Sequence, residues 1–200
     1  MLKFSILELQ HLLRAWVAVA LAFAIALHSG LTFDSSFLFA FLTAAITVGS
    51  GFLLHELAHK YFAQKYGLSA EFRAFDIMLV LAVIMSFFGF IFAAPGAVFI
   101  WGKRVTEKKN GVISVAGPVL NIVLALIFLV LFKFVQNQAV SGVAYYGFFI
   151  NSWLALFNMI PLAIFDGAKV WKWNKLVWTI VALMAGFLMF LTQVIPQKTF

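Results

Sequence analysis

The sequence has 200 residues, of which 64% are hydrophobic and 10% are charged. A soluble domain of this length has too little interior to bury so many apolar side chains, so the composition predicts a bilayer-embedded protein. The 14 basic and 7 acidic residues give a net charge of +7. Because the basic residues lie mainly between apolar runs, they indicate membrane topology and contact with the lipid bilayer, not nucleic acid. The lack of cysteine excludes disulfides, thiolate metal ligands and a cysteine nucleophile.

Six apolar runs follow one another along the chain, and most of them approach the roughly 20 residues that a spanning helix needs. The first run could be a signal peptide, since it has a basic start and small residues at Ala24 and Ala26. The acidic Glu8 and the length of chain before the run favour a retained helix. The second run continues without proline into a polar end and stops before Gly67. The runs cover residues 12–27, with an extension to 33, and residues 37–54, 77–100, 112–131, 143–165 and 176–195.

The third run, residues 77–100, contains Pro95-Gly96 near its end and precedes the most basic loop of the protein. Cytoplasmic loops carry an excess of Lys and Arg, and only a re-entrant hairpin puts this loop in the cytoplasm with the basic N-terminus. We therefore predict an all-α polytopic membrane protein with about five transmembrane helices plus a re-entrant hairpin with short β-strand content. The prediction is a single domain, residues 1–200, with a core at 37–175 and peripheral helices at 12–33 and 176–195.

A polar motif, HELAH at residues 55–59, has the HExxH spacing on the predicted second helix. Residues i and i+4 lie on one helix face, so both imidazoles can bind one Zn²⁺. The carboxylate of Glu56 can take up a proton from a metal-activated water as that water attacks a carbonyl. The alternative is a polar patch near a helix end, but such residues are costly in a membrane unless they are used. The motif predicts metal-assisted peptide hydrolysis.

A catalytic zinc site needs a third protein ligand, and Asp166 is the strongest candidate. It ends a long apolar run, whereas the other acidic residues flank helices or lie in polar segments. The hairpin topology puts Asp166 at the same membrane face as the two histidines, while a crossing third run would separate them by about 30 Å. The alternative is an acidic helix end beside Lys169. As partners of the imidazole nitrogens that face away from the metal, we expect backbone carbonyls or an asparagine.

Two separated motifs, HExxH at residues 55–59 and NxxPxxxxDG at residues 158–167, together resemble those of the site-2 protease family of intramembrane zinc metalloproteases. The segment GPVLN at residues 117–121 is similar to a core element of the same family. The resemblance extends over about residues 49–167. Family members often carry PDZ or CBS domains, for which this chain has no room, so the resemblance is to a minimal form.

By this resemblance, one Zn²⁺ per chain is bound by His55, His59 and Asp166. Glu56 would act as general base and acid, and Asn158 would hydrogen-bond the substrate or the developing oxyanion. From the residues alone, an equally good interpretation of Asn158 is a hydrogen bond between helices. The family also has a membrane-embedded strand region between the HExxH helix and the next core helix.

Residues 96–101 are apolar and rich in β-formers, and they follow the Pro-Gly break. They could supply an edge strand to which an unwound substrate segment adds. The alternative is that they pack the hairpin into the bilayer interface, with Trp101 as an anchor.

The features together predict an intramembrane zinc metalloendopeptidase that cleaves in or near transmembrane segments of membrane-protein substrates. We expect a multi-pass protein of the cell membrane with its active site toward the cytoplasmic side. A catalytically idle protein that binds membrane helices is a first alternative, which the presence of Glu56 disfavours. A metal-ion transporter is a second, which the collection of the ligands near one face disfavours. The oligomeric state is left open.

Overall fold

Among the residues that the structure describes, five helices are long and apolar enough to cross a bilayer, which confirms the predicted number of about five spans. The structure is a computed structural model and describes residues 2–28, 30–32, 34–89, 91, 95–102, 105–162 and 164–195. The candidate spans are Ile6–His28 (α1), Ser35–Lys65, Glu107–Phe134 (α5), Gln138–Asn158 (α6) and Lys175–Val194 (α8).

Side-chain caps and a proline set the helix ends. The Asp34 carboxylate accepts the Phe37 N–H at 2.8 Å and satisfies a backbone donor that the helix leaves unpaired. Residues of the same kind cap α5, α6 and α8, namely Thr106, Asn137 and Asn174. The predicted fifth helix over residues 143–165 was wrong at its C-terminal end, because α6 ends at Asn158. Pro161 follows closely and lacks the N–H that a continuing helix needs.

The second span is irregular at its middle. It consists of Ser35–Ala44 (α2), a π-helical turn at Ala45–Gly49 and Ser50–Lys65 (α3). Trp16 of α1 donates its indole N–H to the Ala45 carbonyl at 3.1 Å. A Cβ at Gly49 would lie 2.6 Å from the Trp16 ring, so the indole needs a glycine there. Because a π-helical turn contains an extra residue, it changes the direction in which α3 presents its side chains.

Within the described residues, the third apolar run forms no helix long enough to cross a bilayer, which agrees with the predicted hairpin. Its helix, Asp76–Ser86 (α4), has 11 residues and is therefore only about 16 Å long. Strands on either side of α4, Ser69–Ala74 (β1) and Gly96–Trp101 (β2), pair antiparallel from Ser69↔Trp101 to Ala74↔Gly96. Both ends of the segment thus meet at one depth. Ala93, Ala94, Lys103 and Arg104, at the predicted break and in the basic loop, lie outside the described residues.

α5 organises the half of the protein that carries the site. It packs against α3, α6 and the short helix Asp166–Trp173 (α7). The α5–α6–α8 face forms one apolar core around Phe148 and Ile122, while α1 packs on α2, α4 and β1. As a result, the polar end of α3 and the first residue of α7 lie beside the same helix.

Candidate metal centre

Three side chains from two helices converge at the polar end of the second span. His55 and His59 lie one turn apart on α3, and Asp166 is the first residue of α7. Asp166 Oδ2 lies 3.3 Å from His55 Nε2 and 3.0 Å from His59 Nε2. All three residues are at most 9% exposed. The geometry brings together the three side chains that the sequence predicts as ligands.

The hydrogen bonds of the two imidazoles leave the correct nitrogens for a metal. His59 Nδ1 lies 2.8 Å from the Ile113 carbonyl, which only accepts, so Nδ1 carries a proton and Nε2, which faces Asp166, is the nitrogen that a metal would bind in place of a proton. His55 Nδ1 lies 2.5 Å from Asn121 Oδ1. The expected partners, a backbone carbonyl and an asparagine, are confirmed.

The donor set also fits the size and charge of a zinc ion. Ligands at 2.0–2.2 Å in a tetrahedron lie roughly 3.3–3.6 Å apart. The distance from Asp166 Oδ2 to His55 Nε2, 3.3 Å, lies in this range, and the distance to His59 Nε2, 3.0 Å, is slightly shorter. Burial alone would raise the pKa of Asp166, but His59 and hydrogen bonds from both imidazoles hold it well below its usual range. The carboxylate is therefore ionised. Its second oxygen pairs with Lys169 at 3.3 Å, so the alternative role of Asp166 at a helix end is also realised.

Asn121 has a larger role than its sequence context indicates. This fully buried side chain donates to the Gly51 carbonyl at 3.2 Å and to Asn151 Oδ1 at 3.0 Å. Its amide nitrogen is thereby committed, which directs its oxygen toward His55. Asn121 thus joins three helices and orients an imidazole at once. The position of Asn121 at the end of the GPVLN segment was the sequence feature that could have indicated this role.

Glu56 faces the sheet. Its Oε2 accepts the backbone N–H of Val98, in β2, at 3.1 Å, and the residue is only 8% exposed. Glu56 follows His55 directly in the chain, so the carboxylate lies at the junction of α3 and β2. A group placed there can act on a substrate that lies along the strand.

Asn158 is engaged with its own helix. As the last residue of α6, it donates its side-chain amide to the Leu154 carbonyl at 2.9 Å. Within the described part of the chain, no hydrogen bond joins Asn158 to His55, His59 or Asp166. A contact between Asn158 and substrate stays a prediction.

A Gly117→Ala variant is expected to lose zinc. A Cβ at Gly117 would lie 2.5 Å from Nε2 of His55, so the imidazole must leave its position. The control is Gly186→Ala in α8, where a Cβ would meet only a side-chain carbon of Leu156 at 4.0 Å. Alanine there should raise the unfolding free energy by about 0.5–1 kcal/mol. The measurements are zinc content after purification and unfolding midpoint, and a Gly117→Ala protein with the wild-type zinc content would contradict the prediction.

Comparison with known proteins gives three relatives, each carrying the name "putative zinc metalloprotease". The protein from Methanocaldococcus jannaschii is 44% identical over 154 residues, which cover 76% of this chain and 81% of the relative. The relative from Mycolicibacterium smegmatis is 30% identical over 57% of this chain and 50% of its own length. The relative from Bacillus subtilis is 30% identical over 62% of this chain and 65% of its own length.

No family model matches the chain, and no solved structure matches it. The three relatives nevertheless carry the same description, and the match to the protein from Methanocaldococcus jannaschii covers most of that protein's length. The described part of the chain has five candidate spans and a cluster of two histidines and an aspartate at the end of one span. Taken together, the identity and this architecture show that the chain belongs to the site-2 protease family of zinc metalloproteases.

Proposed function

We propose that this protein is an intramembrane zinc metalloendopeptidase that hydrolyses peptide bonds in or near transmembrane segments of membrane proteins. The observation that carries the proposal is the convergence of His55, His59 and Asp166, with Glu56 next in the chain to His55. The names of the relatives support a metalloprotease activity. The position of the cluster at the end of an apolar span supports a membrane-embedded substrate.

His55, His59 and Asp166 would hold one zinc ion per chain, which leaves a fourth position open. When bound, zinc lowers the pKa of a coordinated water to about 7 and polarises a carbonyl. Glu56 then takes a proton from the attacking water on a carboxylate oxygen and gives it to the leaving amine nitrogen. Asn158, at the end of α6, would donate its amide to the substrate carbonyl in exchange for its bond to Leu154.

The sheet supports a route for presenting the substrate to these residues. A transmembrane helix satisfies its own backbone hydrogen bonds, so the scissile segment must unwind before it is cut. The outer edge of β1 is covered by α1, because Phe72 and Ala74 donate their N–H groups to Glu8 and His11. An added strand would therefore bind along the outer edge of β2. This edge lies beside Glu56, which accepts the N–H of Val98.

A Val98→Pro variant is expected to lose cleavage by at least about a hundredfold while zinc stays bound. Proline removes the N–H that Glu56 accepts and disrupts the strand edge. Phe99→Pro should act in the same way, since proline interrupts the pairing of β2 with β1. The matched control is Val98→Ala, which keeps the N–H. Cleavage by Val98→Pro at the rate of Val98→Ala would exclude the strand from substrate presentation.

The proposed orientation has the active site toward the cytoplasm. Lys169 and Lys172 lie on α7, the helix that begins with Asp166, and Lys175 begins α8. Basic residues are in excess on the cytoplasmic side of membrane proteins, which supports this orientation in the cell membrane.

The transporter alternative is less well supported. Ion pathways need polar groups at successive depths. Among the residues that the structure describes, the cluster of His55, His59 and Asp166 is the one group of three metal-binding side chains found. This distribution favours hydrolysis at one site.

The proposal is tested with the purified full chain and a model transmembrane substrate in detergent. Mass spectrometry of the products should locate the cut within or beside the transmembrane segment. A chelator should abolish cleavage, and added zinc should restore it. Products cut only in soluble regions, or cleavage that persists after zinc has been removed, would contradict the proposal.

A further inference from the structure

One pair of opposite charges is more deeply buried than the proposed ligands and has no part in the mechanism above. Lys60 follows His59 on α3 and is 1% exposed, and Glu8 in the first turn of α1 is 0% exposed. The Lys60 ammonium donates to Glu8 Oε2 and lies 4.4 Å from the centre of the Phe4 ring. Burying two charges is costly, and apolar residues of similar volume often stabilise a protein at least as well. The pair therefore calls for a reason other than stability.

The second carboxylate oxygen of Glu8 bonds to the sheet. Glu8 Oε1 accepts the N–H of Phe72 at 2.9 Å, and Phe72 lies opposite Val98 in the register of β1 and β2. Val98 in turn donates to Glu56, on the helix that also carries Lys60. Glu8 is thus bonded to Lys60 of α3 and to Phe72 of β1, and β1 pairs with β2, which bonds to Glu56 of α3.

We propose that Glu8 is a positioning residue, held by Lys60, that fixes the two-stranded sheet at the depth where β2 meets the proposed general base. The inference rests on the proposed function. It gives α1, which carries none of the proposed metal ligands and not the proposed base, a role in positioning the active site. Lys60 holds one oxygen of the carboxylate, so the other is presented to Phe72 in a single orientation. His11 accepts the N–H of Ala74 at 3.0 Å and steadies the strand end, which leaves Glu8 to hold its middle.

The test compares two uncharged replacements of the pair. In Glu8→Gln with Lys60→Met, the glutamine oxygen can still accept the Phe72 N–H. In Glu8→Leu with Lys60→Met, the charges are removed in the same way but the acceptor is lost. A purely structural ion pair predicts the same turnover for both. The control for contacts of α1 in general is Asp76→Asn, which removes the negative charge from the exposed pair between Arg14 and Asp76 at 3.2 Å.

For each variant, kcat and KM are measured with a model transmembrane substrate, and zinc content is measured on the same preparation. The assay temperature is below the unfolding midpoint of every variant. We expect Glu8→Gln with Lys60→Met, and Asp76→Asn, to keep kcat within about threefold of wild type. Glu8→Leu with Lys60→Met should lose at least about tenfold in kcat with zinc retained and KM little changed. Equal kcat for the two double variants would overturn the proposal. Loss of zinc from Glu8→Leu with Lys60→Met alone would also overturn it, because the pair would then hold the metal-bearing helix and not the sheet.

Hydrogen exchange of the β1 amides gives a second reading that needs no proteolysis. The Phe72 amide should exchange faster in Glu8→Leu with Lys60→Met than in wild type or in Glu8→Gln with Lys60→Met. Unchanged exchange in Glu8→Leu with Lys60→Met would overturn the positioning role even if cleavage is observed. Faster exchange in a protein that cleaves no transmembrane substrate would support the role of Glu8 while the proposed function fails.

Discussion

A Glu56→Gln variant is expected to lose cleavage by about a thousandfold while its zinc content is unchanged. The amide cannot take up a proton, so the general base is lost. Its oxygen can still accept the Val98 N–H, which the carboxylate accepts at 3.1 Å, and none of the three proposed ligands is altered. The strand and the metal site should therefore keep their structure. Single-turnover cleavage and zinc content of the same preparation measure the two effects separately.

The matched control is Glu71→Gln, which replaces a glutamate of β1 that pairs with Arg73 at 2.8 Å. This variant should cleave at the wild-type rate. Undiminished cleavage by Glu56→Gln would remove Glu56 from the mechanism. Zinc binding together with a dispensable Glu56 would favour metal transport.

An Asp166→Asn variant is expected to weaken zinc binding by at least about a hundredfold. The substitution replaces an anionic ligand with a neutral amide, and loss of a direct ligand should cost at least as much as the ten- to hundredfold typical of groups that merely orient a ligand. The carboxylate oxygen also lies within 3.3 Å of both imidazole nitrogens, so the change affects the whole cluster. Competition against a zinc-buffering chelator measures the affinity, and cleavage should fall in parallel.

Asp76→Asn is the control for this experiment. Asp76 begins α4 and pairs with Arg14 at an exposed position, outside the proposed site. Its zinc affinity should equal that of wild type. A site that survives Asp166→Asn but not Asp76→Asn would contradict both the ligand assignment and the interpretation of the hairpin.

The sequence predicted those features of the fold and the site that depend on the residue pattern within one helix or one loop. The HELAH spacing is local to a helix, so the juxtaposition of His55 and His59 follows from helical geometry alone. The re-entrant hairpin was predictable because the basic loops restrict which runs can cross. The prediction that Asp166 lies beside the histidines follows from that topology, and the structure places its carboxylate oxygen 3.0 Å from His59 Nε2.

Other features depend on contacts that no local pattern encodes. The strand β1 has a polar sequence, and it forms because β2 and α1 satisfy its backbone on both sides. The π-helical turn at Ala45–Gly49 contacts an indole from α1, since Trp16 donates a hydrogen bond to the Ala45 carbonyl. From the sequence alone, Lys60 is one of several basic residues that indicate a cytoplasmic position. Its pairing with Glu8 is seen only in the structure. Each feature involves α1, which lies outside the motifs that carry the resemblance.

The most direct test of the proposed metal centre is X-ray absorption at the zinc edge of the purified protein. The expected result is one zinc per chain with two imidazole nitrogens at about 2.0–2.1 Å and oxygen ligands at about 2.0–2.2 Å. His59→Ala should reduce the imidazole contribution or remove the metal. A zinc site with fewer than two imidazoles, or a spectrum that His59→Ala and Asp166→Asn leave unchanged, would contradict the assignment of His55, His59 and Asp166 as the ligands.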